Sequence, residues 1–577
     1  MRTAASTVLS DQQTPVSRKK GGWITLPFLA GSVVGVGMAM SATSSNLIVY
    51  LISKYNVKSI DAAQISNIVR GCMQLAPVLG AAASDAYFGC YPVVAAGAAI
   101  SLLSFVVFTL TAAFPSLRPP ACAAASSPSS SCQPASAIQA AVLYSAVCLL
   151  AVGNGGTRYN AATLGADQFA GDGERGRDAF FSCYFACLYA SYVAGDTALV
   201  YLQDSVSWAL GFGVCAATTG LGLLALAAGS RYYKRPVPKG SPFTALARVL
   251  VAAARKATLS STSLATLQYY HHGSAGCDTD GPTQTQDHVP SERFRFLNRA
   301  AMVAEGDDVS VGNAKPWRVC TVREVEDLKS LLRVLPLWSS GILVSTTVNA
   351  QVTLTVLQAL TMDRALGPRG LAVPAASITV TVLAAFVLTA ALFDRLAAPL
   401  WGRLAAGGCR KPTPLQRVGL GHALNVASMA VAALVERRRI RIASAAAAAG
   451  DALPMSAAWL VVQLTLTGAE EALHLPGNTA LFYREFPAAL RSTATAMPPL
   501  FIAVGSYLST ALVGAVRRAT GWLPDDLNRS RLDRVYWTLA LLAAATLGYF
   551  LVCAITYRYR DNAVDGDGEA NHTLEEK

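Results

Sequence analysis

The chain is short of charge. Only 14% of its 577 residues are Asp, Glu, Lys or Arg, against roughly a quarter in an ordinary soluble protein, while 53% are hydrophobic. That scarcity argues against a water-soluble globule, which at about 100 to 200 residues per domain would be several domains joined by polar linkers. Cysteine is sparse as well. The 12 present are scattered, none forms a CxxC pair, and several fall in apolar runs where a thiol packs as a small hydrophobe. A disulfide scaffold, a zinc finger and a thioredoxin-type motif are therefore excluded, and neither metal nor cofactor is expected. No loop carries a nucleophile, base and orienter at workable spacing, which argues against an enzyme. The opening segment MRTAASTVLSDQQTPVSRKKGG lacks the apolar core and cleavage site of a signal peptide, so the first hydrophobic stretch is expected to insert and stay.

What the chain has in abundance is long apolar runs. A bilayer core of about 30 Å needs roughly 20 mainly apolar residues per helix, and twelve windows meet that need. Six run at 24–51, 65–86, 92–113, 137–160, 179–201 and 206–229. Six more run at 328–360, 372–393, 414–436, 455–481, 493–516 and 533–556. Two six-helix bundles, at 24–229 and 326–557, joined by a polar loop at 230–325 and flanked by tails at 1–23 and 558–577, predict an all-α integral membrane protein of the major facilitator plan.

The 47 Lys and Arg exceed the 35 Asp and Glu by 12. They gather at the ends of apolar segments, a placement that orients membrane helices and does not suggest nucleic acid as a partner. Arg18, Lys19 and Lys20, then Arg231, Lys234, Arg235 and Lys239, then Arg558 and Arg560 all belong on the cytosolic side. Both termini are then cytosolic and the number of spans is even. The run Glu436, Arg437, Arg438, Arg439, Ile440, Arg441 conflicts, because this topology puts it outside. The Pro/Ser-rich outer loop exposes Cys122 and Cys132 to an oxidising exterior, as a disulfide or as two free thiols. Asn528 heads a sequon on the outer side, and Asn571 another on the cytosolic tail. Within the central loop, SPFTALARVLVAAARK sets Phe243, Leu246, Val249, Leu250 and Ala253 on one face, with Arg248, Arg255 and Lys256 beside it. That pattern reads as a helix lying on the cytoplasmic leaflet, or as a linker between halves.

Two turns carry motifs. In PVLGAAASDAYFGCY, Gly80, Asp85 and Gly89 bracket a cytoplasmic turn in which Asp85 either gates by pairing with a basic partner or merely caps a helix. In GNGGTRYNAATLGADQF, Gly155 and Gly156 precede Arg158.

GGTRYNAATLGADQF at 155–169, with FFSCYF at 180–185, SPFTALARVLVAAARK, VEDLKSLLRVLPLW at 325–338, VLQALTMDR at 356–364 and FYREFPAALRSTATA at 482–496, resembles the plant nitrate/peptide transporter family. That family is the plant arm of the proton-coupled oligopeptide transporters. The resemblance runs from Gly21 to about Tyr559. GGWITLPFLAG, NLIVYLISKYNVKSIDAAQISNIV, KGSPFTALARV, DRALGP, TPLQRVGLGHALNVASMAVAALVE and GWLPDDLNRSRLDRVYW further resemble the nitrate excretion subfamily. Members of the wider family carry nitrate, chloride, short peptides, glucosinolates and hormones.

The resemblance implies an ExxER or ExxEK motif for proton coupling on the first helix. Aligned on Asn46, Leu47, Ile48 and Tyr50, that motif falls on Val33, Val34, Gly35, Val36 and Gly37, where every ionisable group is missing. Carboxylates inside a membrane are costly and usually functional, so their loss predicts weak or no proton coupling unless another acid serves. Gly31 and Gly35 are expected to let helices pack closely.

Arg158 stands where relatives have Lys, and Gly155 and Gly156 are expected to leave room beside it for a ligand. Its planar fork of donors suits an oxyanion such as nitrate, although a structural salt bridge is an equal reading. GAEEALHLPGN places Glu471 where the family has its usual acid and Glu470 beside it. One of them is expected to pair with Arg158 across the halves or, as a crowded acid, to couple transport to pH. Adjacent helix positions point about 100° apart, so only one need face the cavity. Pro476 and Gly477 predict a hinge, and His474 is a packed polar group or a proton relay.

On the seventh helix Asn349, Gln351, Thr353 and Thr355 lie at membrane depth, where they contact ligand or bond neighbouring helices. Some nitrate-carrying relatives have His at the position of Asn349, which cannot become cationic, so low affinity is expected. Thr353 matches a family Thr facing the same site. Tyr184, in the aromatic set Phe180, Phe181 and Phe185, lines the cavity or packs.

The reading is a low-affinity nitrate carrier of the plasma membrane, or of the vacuolar membrane, working by efflux or facilitation and surrounded by lipid, with a homodimer as a candidate assembly. One charge moved across 100 mV is worth about 2.3 kcal/mol, which drives an anion out of a negative cytosol. Chloride, a proton-coupled organic solute (peptide, glucosinolate or hormone) and a non-transporting anion sensor are the alternatives.

Overall fold

The computed structural model describes residues 21–121, 133–169, 173–235, 242–257, 269–270, 290–303, 317–366, 371–393, 395, 412–449, 455–486, 491–524 and 526–557. Cys122, Cys132 and the Asn571 sequon lie outside the described residues.

Six helices build the first bundle: α1 (Leu26–Tyr55), α2 (Ser59–Ala83), α3 (Cys90–Ala113), α4 (Ala137–Gln168), α5 (Gly173–Ala194) and α6 (Trp208–Ala228). After α7 (Pro242–Arg255), six more build the second: α8 (Val322–Leu360), α9 (Val380–Leu392), α10 (Pro414–Ala449), α11 (Leu460–Glu485), α12 (Arg491–Ala519) and α13 (Leu532–Thr556). Backbone that crosses hydrocarbon must satisfy its own hydrogen bonds, and helices do so within one segment. Among the described residues nine helices are long and apolar enough to span a membrane by composition alone. The other three, α2, α9 and α11, complete the twelve. The helical part of α9 is short, while α2 carries Asp61 and Arg70 and α11 carries Glu470 and Glu471.

Local chemistry sets several ends. Ser136 accepts from the Gln139 amide N–H while the Gln139 side chain accepts from Ser136, a reciprocal cap that starts α4. Thr321 and Glu324 do the same for α8, which therefore begins at Val322, ahead of the expected 328. The fifth span does not stop at 201. It continues through π-helical segments at Gly195–Leu199 and Leu202–Val206, and Ser207 then caps α6 by accepting from Leu210.

Close helix contacts rest on small residues. A side chain at Gly35 would overlap the Thr218 carbonyl on α6, and one at Gly80 would overlap the Gly155 carbonyl on α4. Gly156 presses in the same way on Gly97 of α3. Gly155 and Gly156 thus serve the α2–α4 and α3–α4 contacts, which corrects the expectation that they make room for a ligand.

The α7 helix lies on the second bundle. Leu246, Val249 and Ala252 bury against Val322, Val325 and Leu328 at the start of α8, while Leu250 stays exposed. A bare linker between the halves would not bury that face.

The charge run on α10 is not a free positive patch. Arg439 and Glu436 are both almost fully buried and bond at two points, 2.7 and 2.8 Å. Arg438 lies over the Trp459 ring at 4.3 Å. Part of the run's charge is neutralised inside the protein, which weakens its conflict with the expected topology.

Candidate functional site

A cavity of about 370 Å³ opens between the two bundles. From the first bundle it takes Arg70 and Gln74 on α2, Arg158 on α4, and Tyr189, Tyr192 and Asp196 on the α5 segment. From the second it takes Asn349 on α8, Phe386 on α9, and Glu470, Glu471 and His474 on α11. Polar groups in a membrane interior need partners or a ligand, so the pairing of each group decides what it can do.

Arg158 donates from one terminal nitrogen to Oε1 of Gln74 at 2.8 Å. It forms no ion pair with any described residue. The pairing with Glu470 or Glu471 expected from sequence is therefore absent in this conformation, because each acid turns elsewhere. Glu470 is buried and approaches Nδ1 of His474 at 3.9 Å. Glu471 shares its surroundings with Arg70, which also feels Asp196. Both acids line the cavity, where the helical offset required only one to do so.

Asp196 is held by the Ser41 hydroxyl at 2.7 Å. Its backbone carbonyl accepts from Ser377 of the second bundle, also at 2.7 Å. The first helix thus contributes serines one to two turns beyond the vacated acidic motif. Val33 and Val36 are buried in apolar packing and Gly37 abuts Ser191. Of the two cavity arginines, Arg70 has the carboxylates of Glu471 and Asp196 in its neighbourhood, whereas Arg158 donates to the Gln74 amide oxygen.

Asn349 lines the cavity and its side-chain amide has no partner among the described residues. Thr353, one turn on, points away from it. Its hydroxyl donates to Asn67 Oδ1 at 2.6 Å, and Asn67 donates to Ser509 at 3.2 Å. Gln351 and Thr355 join a buried network with Ser428, Thr467 and Gln463 inside the second bundle. Tyr184 is buried below the cavity, where its hydroxyl donates to the Arg158 carbonyl at 3.3 Å and its ring packs on Phe180. Helix α11 runs unbroken through Pro476, and Gly477 allows α10 to approach at Val418, so the expected hinge has the form of a packing contact here. Asp85 sits in a π-helical turn ahead of Gly89, which has φ of 76°, and bonds no other described side chain.

The bundles meet on the side of the α1–α2 turn. Arg517 pairs with Asp61, Thr510 donates to the Gln64 carbonyl at 3.4 Å, and Arg364 lies 3.9 Å from Asp204. With Thr353–Asn67–Ser509 and Ser377–Asp196, these bonds close that end of the cavity. Sequence reading missed Arg70 and Asp196, although each is a lone charge in an apolar run and so carries the usual mark of function. Nothing in the sequence signals that Gln74, Tyr189, Tyr192 and Phe386 converge with them.

Comparison with known proteins places this geometry. The profile described as the POT family matches residues 91–526. The Arabidopsis thaliana protein NRT1/PTR FAMILY 2.3 is 43% identical over 575 residues, covering 98% of each chain. NRT1/PTR FAMILY 2.7 from the same plant is 42% identical over 574 residues, again covering 98% of each. Among solved structures, an auto-inhibited POT family peptide transporter aligns with a TM-score of 0.65 at 15% identity, over 94% of this chain and 98% of the other. A peptide transporter POT in complex with sulfate aligns at 0.61 and 15%, over 92% and 94%.

Proposed function

The chain belongs to the POT family, and on that premise we propose that it carries nitrate with low affinity, as an exporter or facilitator of the plasma membrane with weak or no proton coupling. The carrying observation is Arg158. Its guanidinium lines the cavity, is held by a neutral amide and bonds no carboxylate among the described residues. A planar oxyanion accepts from such a fork through two oxygens, and the Asn349 amide, which has no partner among the described residues, offers a further donor. A liquid water occupies about 30 Å³, so the cavity has room for several waters beside a small anion. Nitrate would keep part of its hydration, in line with weak binding.

With both termini cytosolic, the closed α1–α2 end is the outer one and this conformation faces inward. Transport then needs the outer bonds to open while bundles 24–229 and 326–557 rock against each other. The missing acids on α1 remove the family's usual proton carrier, and a negative cytosol drives the anion outward.

A second reading is a proton-coupled organic solute. It is favoured by Arg70, Glu471 and Asp196 lining one cavity as opposite charges, and by the aromatic wall of Tyr189, Tyr192 and Phe386. Flux of isotope-labelled nitrate in oocytes, inward and outward at acidic and neutral external pH with chloride as competitor, tests the choice. Outward nitrate flux that persists at neutral pH supports the proposal. Complete absence of nitrate flux overturns it.

A further inference from the structure

We propose that Gln74 is a positioning residue for the anion, holding Arg158 in its binding orientation while leaving the arginine's charge unspent. This rests on the reading of Arg158 as the anion's partner. The Arg158–Gln74 bond inside the cavity carries it. A contrast with the other cavity arginine supports it: Arg70 has the carboxylates of Glu471 and Asp196 in its neighbourhood, whereas the ionisable groups nearest Arg158 are tyrosines. The only side-chain hydrogen bond that Arg158 makes to a described residue goes to Gln74 Oε1 at 2.8 Å.

An acceptor is needed at that place, because a guanidinium carries five donors and a loose one samples many rotamers. A carboxylate would hold it more firmly but would also neutralise it, and an incoming anion would have to displace the carboxylate. An amide oxygen fixes the fork without competing charge. The amide also keeps its own N–H₂ group, which has no partner among the described residues, on a side chain that lines the cavity. Gln74 therefore orients the arginine and can add a donor of its own.

The test uses the purified full-length chain in liposomes, with labelled nitrate flux and nitrate-dependent thermal shift read at acidic and neutral pH. Gln74→Glu should raise KM for nitrate about ten-fold or more at neutral pH, since charge-assisted bonds are roughly twice as strong as neutral ones. Its kcat should change less. Acidification should restore KM as the introduced carboxyl takes a proton, while the wild-type chain lacks that recovery. Arg70, Asp196, Glu470, Glu471 and His474 also face the cavity, but they are the same in both proteins, so the difference between the two pH profiles belongs to position 74.

Gln74→Ala removes the acceptor without adding charge and should raise KM a few-fold. This variant decides the matter if the carboxylate variant fails to fold. Wild-type KM and pH profile in Gln74→Glu, or wild-type KM in Gln74→Ala, overturn the inference. If Arg158→Ala loses the nitrate response while both Gln74 variants are unchanged, only this inference falls. If the wild-type chain shows neither nitrate flux nor a nitrate thermal shift, both readings fall.

Discussion

Glu436 and Arg439, one turn apart on α10, close a buried two-point ion pair with N···O distances of 2.7 and 2.8 Å. Gln358 donates to the same carboxylate at 2.6 Å, and Arg439 donates to Asn528 at 2.8 Å and to the Leu527 carbonyl at 3.1 Å. The pair thus ties α10 to α8 and to the segment leading into α13. Charges taken out of water cost several kcal/mol each, and only such dense bonding offsets that.

Arg439→Ala should consequently lower stability by about 3–5 kcal/mol, because it leaves Glu436 buried without its partner. The expected result is a large fall in folded yield and in the thermal midpoint of detergent-solubilised protein. Replacing both residues by apolar ones of similar volume should cost much less, since no orphaned charge remains. A single variant as stable as wild type would show that water reaches the pair.

Arg158→Ala should abolish nitrate flux while surface expression stays intact. Arg158→Lys should retain part of it, because ammonium supplies a point charge without the planar fork. Labelled nitrate uptake and export, normalised to surface protein, measure both. Normal flux in Arg158→Ala would remove the residue from the site.

How much of this was readable from residues alone divides by distance along the chain. The twelve spans were legible because about 20 apolar residues in a row have few other uses. The Glu436–Arg439 pair was legible in principle, since residues three apart share a helix face, but the topology argument treated the run as exposed. Gly155 and Gly156 were read as ligand space, and only their neighbours Ala76, Gly80 and Gly97 show that they serve helix packing instead. The Arg158–Gln74 bond joins residues 84 positions apart, and no periodicity reports such a contact. The same holds for Thr353, whose partner Asn67 lies in the other bundle.

The Asp61–Arg517 pair closes the end of the cavity beside the α1–α2 turn. Both side chains are partly exposed, so deleting the pair should cost under about 1 kcal/mol. Reversing one charge is a stronger test. Asp61→Arg should shift the population toward opening at that end, read as faster modification of a cysteine introduced at Ser45 in the cavity, and Arg517→Asp in the same chain should restore closure. Equal labelling in all three would show that the pair does not gate.

Asp85 is partly buried in its turn and bonds no other described side chain. Burial raises its carboxyl above the usual range, so the charged form is penalised in the folded protein. That penalty is present at neutral pH and vanishes once the carboxyl is protonated in both folded and unfolded states. Asp85→Asn should therefore raise the thermal midpoint at neutral pH and match wild type under strongly acidic conditions. A midpoint that falls at neutral pH would mean the charge has a favourable partner, as a gating role requires.

Restoring the family's acidic motif on α1 should fail, and the packing says why. Val33 and Val36 are buried among apolar neighbours, and a side chain at Gly37 would press on Ser191 Oγ. Glutamates at 33 and 36 with arginine at 37 would bury charged groups in that packing, and a long side chain would have to force α5 away from α1. The triple variant should reach the membrane at a small fraction of the wild-type level. The cavity already holds its acids just beyond α5 and on α11, as Asp196, Glu470 and Glu471, so neutralising those three is the productive way to ask whether protons move with the anion. If Asp196→Asn, Glu470→Gln and Glu471→Gln, singly and together, leave nitrate flux and its pH profile unchanged, transport is uncoupled. If one of them flattens the profile, that acid has taken over the role vacated on α1.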